Sequence, residues 1–374
     1  MRTLRFLIVG FVVLVGSLLR ATSIIFPTFS TPVVGDGLLY VSTPNSSHLL
    51  ALDLNDGRLV WKRDLGIIIG TFLMPDGRLC VGSASALHTL NPRSGETTDI
   101  VLLEESAGSM THPQPAADLF CLRNRDWKND TVTLIDSHTG KAVRKESEVT
   151  QVVYLDDKTA VFAKAHREYT ANGDGYTIGR TWLEARSRTG WEQIWTARMR
   201  SSWLSGESHT MADGNLLLAD EKELVVLSPE KGELRRVSAL PTPPSGFSLN
   251  GLSIDHGVPY FIARGQSDEA DYEHTPHLVF RCAPADLAVS ETFALQAIEI
   301  ARVSFYGDHI VSDALYRTIG YKRDGTRLWT HMQMHRTEPI SGTFYFSDNR
   351  DGTARVGSVN IATGETKILH EEKL

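Results

Sequence analysis

The apolar and polar positions of the chain follow a short rhythm. An apolar strand, a tight turn, a second apolar strand, a polar turn with glycine and a third strand recur along residues 31–374. The fullest copy runs from Gly35 to Gly66. Within it residues 38–41 and 49–54 are rich in large and β-branched side chains, as buried strands are. Asn55, Asp56 and Gly57 then form a hairpin turn, because glycine accepts positive φ freely and Asn or Asp tolerate it best among the others.

The same turn returns at 91–95 (NPRSG), 136–140 (DSHTG), 186–190 (RSRTG), 228–232 (SPEKG), 322–325 (KRDG) and 360–364 (NIATG), with a glycine-free copy at 282–287 (CAPADL). That makes eight copies. Successive turn glycines from Gly57 to Gly232 lie 38, 45, 50 and 42 residues apart, then 93 across the glycine-free copy, then 39. The period fits blades of four antiparallel strands, none of which buries its apolar faces alone, so the predicted fold is an all-β, eight-bladed propeller. The apolar runs are too short and too often broken by Gly, Asp and Asn for a helical solenoid. Seven blades is the alternative, if the short unit 339–374 shares a blade with an N-terminal strand around 24–32 and so pairs the two chain ends.

Ahead of the repeats, Arg2 and Arg5 precede an unbroken apolar run from Phe6 to Leu19, closed by Arg20. This is the pattern of a signal peptide or signal anchor, expected as a hydrophobic helix within 1–23, with the propeller over 24–374. The run falls short of the roughly 20 residues of a spanning helix, which leaves cleavage and anchoring both open. Either places the rest of the chain outside the cytoplasm, in a periplasm or at a cell surface.

The segment Ala51 to Trp61 (ALDLNDGRLVW) resembles the blade motif of the PQQ-like (pyrroloquinoline-quinone-type) propellers, Ala-x-Asp-x-x-x-Gly-x-x-x-Trp, through Ala51, Asp53, Gly57 and Trp61. Gly325 and Trp329 keep the Gly and the Trp. Trp195, five residues after Gly190, reads as a slipped copy, and elsewhere the Trp is replaced, as by Arg144 after Gly140 and Ile368 after Gly364. The resemblance implies that each Trp lies flat between adjacent blades against the Ala of a neighbour and docks them. It also implies a choice of function, since the family includes the propeller subunit of the outer-membrane barrel-assembly machinery and the quinoprotein dehydrogenases. The latter hold a quinone against a disulfide of adjacent cysteines and a calcium ion on a Glu, an Asn and an Asp. None of those positions carries over here. The three cysteines, Cys80, Cys121 and Cys282, are far apart and set in apolar surroundings.

The bulk composition is that of a water-soluble globular protein, 41% hydrophobic and 22% charged, and its net charge of −7 without a basic stripe argues against nucleic acid as a partner. Among local constellations, Asp268, Glu269, Asp271, Glu273, His274 and His277 form the densest set of metal-ligating types, although a solvated hairpin loop explains the same composition. His331 and His335 (HMQMH) read as strand or inter-blade loop residues. No nucleophile elbow of the Gly-x-Ser-x-Gly kind occurs. The longest loops, around 164–181 and 264–276, are the expected recognition elements. In the first of them His166, Arg167, Tyr169, Tyr176 and Arg180 are the candidate contact residues. The expected function is a non-catalytic, monomeric, extracytoplasmic scaffold without a cofactor, which binds a protein or glycan through loops on a propeller face. A PQQ- and calcium-dependent oxidoreductase and a carbohydrate-binding or carbohydrate-active propeller are the alternatives.

Overall fold

The computed structural model describes residues 31–373 apart from 43–46, 75, 104–108, 112–117, 126–129, 170–175, 201–208, 212, 221–222, 238–240, 256, 267–274, 284–287, 298–299, 315–316, 333–334 and 351. The predicted N-terminal helix, and the signal or anchor at 1–23, lie outside the described residues. Among the described residues, thirty-two strands form eight separate four-stranded antiparallel sheets, each built from four consecutive strands. The blades, numbered in chain order, occupy 33–64, 68–102, 109–147, 149–198, 209–237, 247–296, 300–332 and 335–373.

Strand composition explains the radial stacking. Blade 1's second and third strands, Leu38–Ser42 (LLYVS) and His48–Asp53 (HLLALD), are apolar on both faces because both faces are covered. Leu38, Tyr40, Leu49 and Ala51 pack toward blade 2, while Leu39, Val41, Leu50 and Leu52 pack toward blade 8. The pattern repeats around the wheel. Eight apolar clusters are found among the described residues, and each straddles one pair of neighbouring blades. Outer strands such as Leu59–Asp64 (LVWKRD) end on exposed charges, Arg63 and Asp64, which blunts the exposed sheet edges.

Blade 8 takes all four strands from the C-terminal end, from His335–Arg336 to Thr366–Lys373, so the seven-bladed alternative with a shared N-terminal strand does not hold. The ring closes by packing, not by strand exchange. Val356, Tyr345 and Leu369 of blade 8 meet the apolar face of blade 1, and the Lys62 Nζ donates to Glu372 Oε1 at 2.6 Å across the join.

Local turn chemistry is uniform. In blades 1–6 and 8 the turn between third and fourth strands closes with the N–H of its first residue donating to the carbonyl five residues on, as in Asp53 to Arg58 and Asn91 to Glu96. Outside blade 6, where it is Ala283, the first residue is Asp, Asn or Ser, whose side chain caps the turn. Asn91 Oδ1 accepts from the N–H groups of Arg93 and Ser94, and Asp136 Oδ1 from those of His138 and Thr139. The glycine-free turn of blade 6 keeps the closure, Ala283 N–H to Ala288 carbonyl at 2.8 Å.

Blade 4 corrects the sequence reading. Its turn runs from Ser187 to Glu192, not from Arg186 to Gly190, and Trp191 occupies the left-handed position (φ 60°) that glycine takes elsewhere. Trp195 therefore stands eight residues after the turn's first residue, as Trp61 does after Asp53. The glycine is displaced, and the tryptophan is in step.

Candidate partner-binding face

In a four-stranded meander, the first and third turns of every blade lie at one end, whereas the middle hairpin and the crossover to the next blade lie at the other. The wheel thus has a turn face and a hairpin face. The turn face holds the docking tryptophans. The Trp61 indole N–H donates to the Pro92 carbonyl at 2.8 Å, that of Trp195 to Pro229 at 2.9 Å and that of Trp329 to Ile361 at 2.7 Å. Each ring covers the turn glycine of the next blade, Gly95, Gly232 or Gly364. The small residue opposite the Trp belongs to its own blade: Ala51 faces Trp61, Ala185 faces Trp195 and Gly320 faces Trp329 across the strand pair. In this chain the ring is therefore seated on the neighbour's glycine and turn carbonyl rather than on a neighbour's alanine. Gly57 is covered by Leu369 of blade 8, and Gly325 lies against the Ala294 carbonyl of blade 6.

The seam between blades 3 and 4 is built differently. Arg144 stands where a Trp would, and its guanidinium lies 5.8 Å from the ring of Trp191, so the aromatic group comes from the neighbour's turn instead. Further along the seam, Lys164 donates to Glu146 at 2.8 Å and to Glu184 at 3.0 Å, and all three are buried. Arg186 reaches Glu146 at 2.9 Å and Glu184 at 2.7 Å, and Arg144 reaches Glu146 at 2.7 Å. Burial acts to raise the Glu184 carboxyl, but the hydrogen bond and charge of Lys164, with Trp182 and Arg186, outweigh it and hold the group below the usual carboxylate range. Sequence reasoning missed this network. Its signal was Glu184 and Arg186 at the positions that Leu50 and Leu52 fill in blade 1.

This seam anchors the longest strand pair among the described residues. Blade 4's second and third strands, Thr159–Tyr169 and Tyr176–Ser187, have 11 and 12 residues, against five for the corresponding strand Leu216–Asp220 of blade 5. At about 3.3 Å per residue the hairpin rises roughly 20 Å above its neighbour on the hairpin face. Blade 3 and the crossover leaving it hold its base at three points: Lys164 by Glu146, His166 by Glu148 at 2.6 Å, and Arg167 by Asp130. Glu148 adopts a left-handed backbone (φ 60°) in the crossover between the blades, at a cost of about 1–2 kcal/mol. Its carbonyl accepts from Ala165 at 2.9 Å while its side chain raises the pKa of His166.

Of the contact residues read from the sequence, His166 is 56% exposed and Arg167 only 12%, its guanidinium being committed to Asp130. The backbones of Tyr169 and Tyr176 pair in register at the end of the strand pair, and exposed Arg180 stacks over Trp182 at 5.4 Å. Of the cation candidates, residues 268, 269, 271, 273 and 274 lie outside the described residues. His277 is buried in blade 6, with Nδ1 2.9 Å from the Thr275 carbonyl. No group of three or more metal-ligating side chains occurs among the described residues. His331 lies in the last strand of blade 7 and His335 opens blade 8. On the turn face a cavity of about 320 Å³ opens between those two blades, lined by Tyr306, His309, Pro339, Asn360 and Ile361.

No protein-family model matches the chain, and no curated protein matches it in sequence. Solved structures do. BamB from Moraxella catarrhalis superposes with a TM-score of 0.53 at 14% identity, covering 85% of this chain and 92% of that one. AztD from Citrobacter koseri gives 0.56 at 12% identity, covering 89% and 94%. At such identities the likeness is one of fold. The chain has an eight-bladed propeller fold, and in this it is similar to BamB and AztD.

Proposed function

We propose that the protein is a non-catalytic extracytoplasmic scaffold that binds a partner protein through its hairpin face, with the blade 4 hairpin as the principal contact element. The observation that carries this reading is the anchoring of that hairpin. A strand pair rising well above the neighbouring blade is tied at its base to blade 3 and to the crossover between the blades, so its outer strand residues stand on a rigid support. The N-terminal apolar run supplies export or membrane attachment in this reading, and the wheel acts as a monomer without a cofactor.

A photo-crosslinking residue at exposed Thr177, introduced into the full chain in its native membranes, tests the proposal. One discrete protein adduct is expected there, and none from the same residue at exposed Arg58 on the turn face. Capture of glycans alone, or equal capture from both positions, contradicts it. Dye-linked oxidation of alcohols or sugars after addition of quinone and calcium would contradict the non-catalytic part.

A further inference from the structure

Large apolar side chains are exposed unevenly on the two faces of the wheel. Among the described residues four stand more than half exposed, Leu102 at 77%, Ile67 at 72%, Ile100 at 53% and Met332 at 51%, and every other is at 45% or less. All four lie toward the hairpin face. Ile67 is in the crossover from blade 1 to blade 2, Ile100 and Leu102 are in the later half of blade 2's outer strand Thr97–Leu102, and Met332 ends the outer strand Arg327–Met332 of blade 7. Three of the four thus belong to the rim of blade 2. The middle hairpin of that blade turns within Ala84 and Ser85. The Ala84 N–H donates to the Ile67 carbonyl at 3.1 Å and the Leu103 N–H to the Ser85 carbonyl at 2.9 Å, so apolar residues flank the turn on both sides. The rim is also low, since strand Leu79–Ser83 has five residues against 11 for Thr159–Tyr169 in blade 4.

The chain enters the wheel on the same face. Inner strand Val33–Gly35 of blade 1 reaches the first turn at Gly35, so Val33 is its hairpin-face end, and it runs beside blade 2's inner strand Ile68–Leu73. Only 12 residues separate Arg20, which closes the apolar run, from Val33, a reach of at most about 40 Å. A membrane holding that run therefore stands nearest the hairpin side. We infer that the hairpin face is turned to the membrane and that Ile67 and Leu102, at the rim of blade 2, rest in the lipid interface. The tether supplies the proximity, and burial of the apolar rim sets the orientation. Because the blade 4 hairpin stands higher, the wheel leans toward the rim of blades 1 and 2, and a partner that meets the hairpin is itself bound to or embedded in the membrane. The inference rests on membrane attachment in the function proposed above and adds the orientation of the wheel and the setting of the partner.

Quenching by lipids tests it on the full chain in vesicles of phosphatidylethanolamine and phosphatidylglycerol. An environment-sensitive dye is attached through Ile67→Cys, Leu102→Cys, Arg58→Cys or Ile340→Cys, and the native Cys80, Cys121 and Cys282 are buried. Lipids spin-labelled near the headgroup are expected to remove roughly half or more of the emission at positions 67 and 102, and almost none at 58 and 340 on the turn face. Adding Leu102→Asp, an exposed change whose thermal melts match the parent, should cut the quenching at position 67 by about twofold or more. Quenching alike on both faces, or absent at 67 and 102 in a chain that resists alkaline carbonate washing, overturns the orientation and leaves the scaffold proposal to the crosslink at Thr177. Release of the chain by the wash removes the attachment and the inference with it. The protein captured at Thr177 is expected to stay with the membranes on the same wash when prepared from cells lacking this chain, and a soluble one contradicts the setting inferred for it.

Discussion

Gly95 shows how narrowly a blade contact is specified. Its backbone is left-handed (φ 64°), and a Cβ there would stand 2.6 Å from the ring of Trp61. Gly37 has a similar φ of 77° with open space around it. Gly37→Ala should therefore cost only the backbone strain of about 1–2 kcal/mol, and Gly95→Ala distinctly more, because the docked ring must move. Thermal or denaturant melts of the two variants check the difference, and equal losses would show that the ring is not seated as described. Trp61→Ala, at a side chain buried to 7% exposure, is expected to lose about 3–5 kcal/mol in the same assay.

At the scale of elements, the blade 3–blade 4 seam replaces an aromatic plug with ion pairs. Removing Lys164 leaves Glu146 and Glu184 buried with less counter-charge, so Lys164→Ala should destabilise by about 3–5 kcal/mol. Urea titration measures this, and a loss below about 1 kcal/mol would mean that the seam is wet. The Glu184 carboxyl is held below its ordinary value in the folded protein, so its share of stability is present above a pH of about 4.3 and fades as pH falls through the lower, folded value. Stability should be insensitive to this group near neutrality and drop in acid, and Glu184→Gln should flatten part of that drop in melts taken across the range. Why the seam escaped the sequence is physical. The turn rhythm depends on short-range rules for Gly, Asn and Asp, and these are visible along the chain. Glu146 and Lys164, by contrast, meet only once two blades are stacked. The same holds for Trp191: its left-handed backbone is dictated by the turn closure from Ser187 to Glu192, which the nearby Gly190 concealed.

For the whole molecule, the blade count was legible because each copy of the turn marks one blade, even at 282–287 where glycine is missing. The place of closure was not, since the length of the last unit said nothing of which strands it pairs with. The hairpin that carries the candidate site was legible as a long fourth repeat, but its anchoring residues were not. A wheel of this kind has one join formed by the most distant parts of the chain, with Lys62 of blade 1 on Glu372 of blade 8 at 2.6 Å. Zero-length carbodiimide crosslinking of the native protein, followed by peptide mass spectrometry, reads that join directly. A Lys62–Glu372 crosslink, lost in Glu372→Gln, is the expected result. Its absence while Lys62 couples to carboxylates of other blades would contradict a closed ring of eight blades, and with it the support on which the binding hairpin stands.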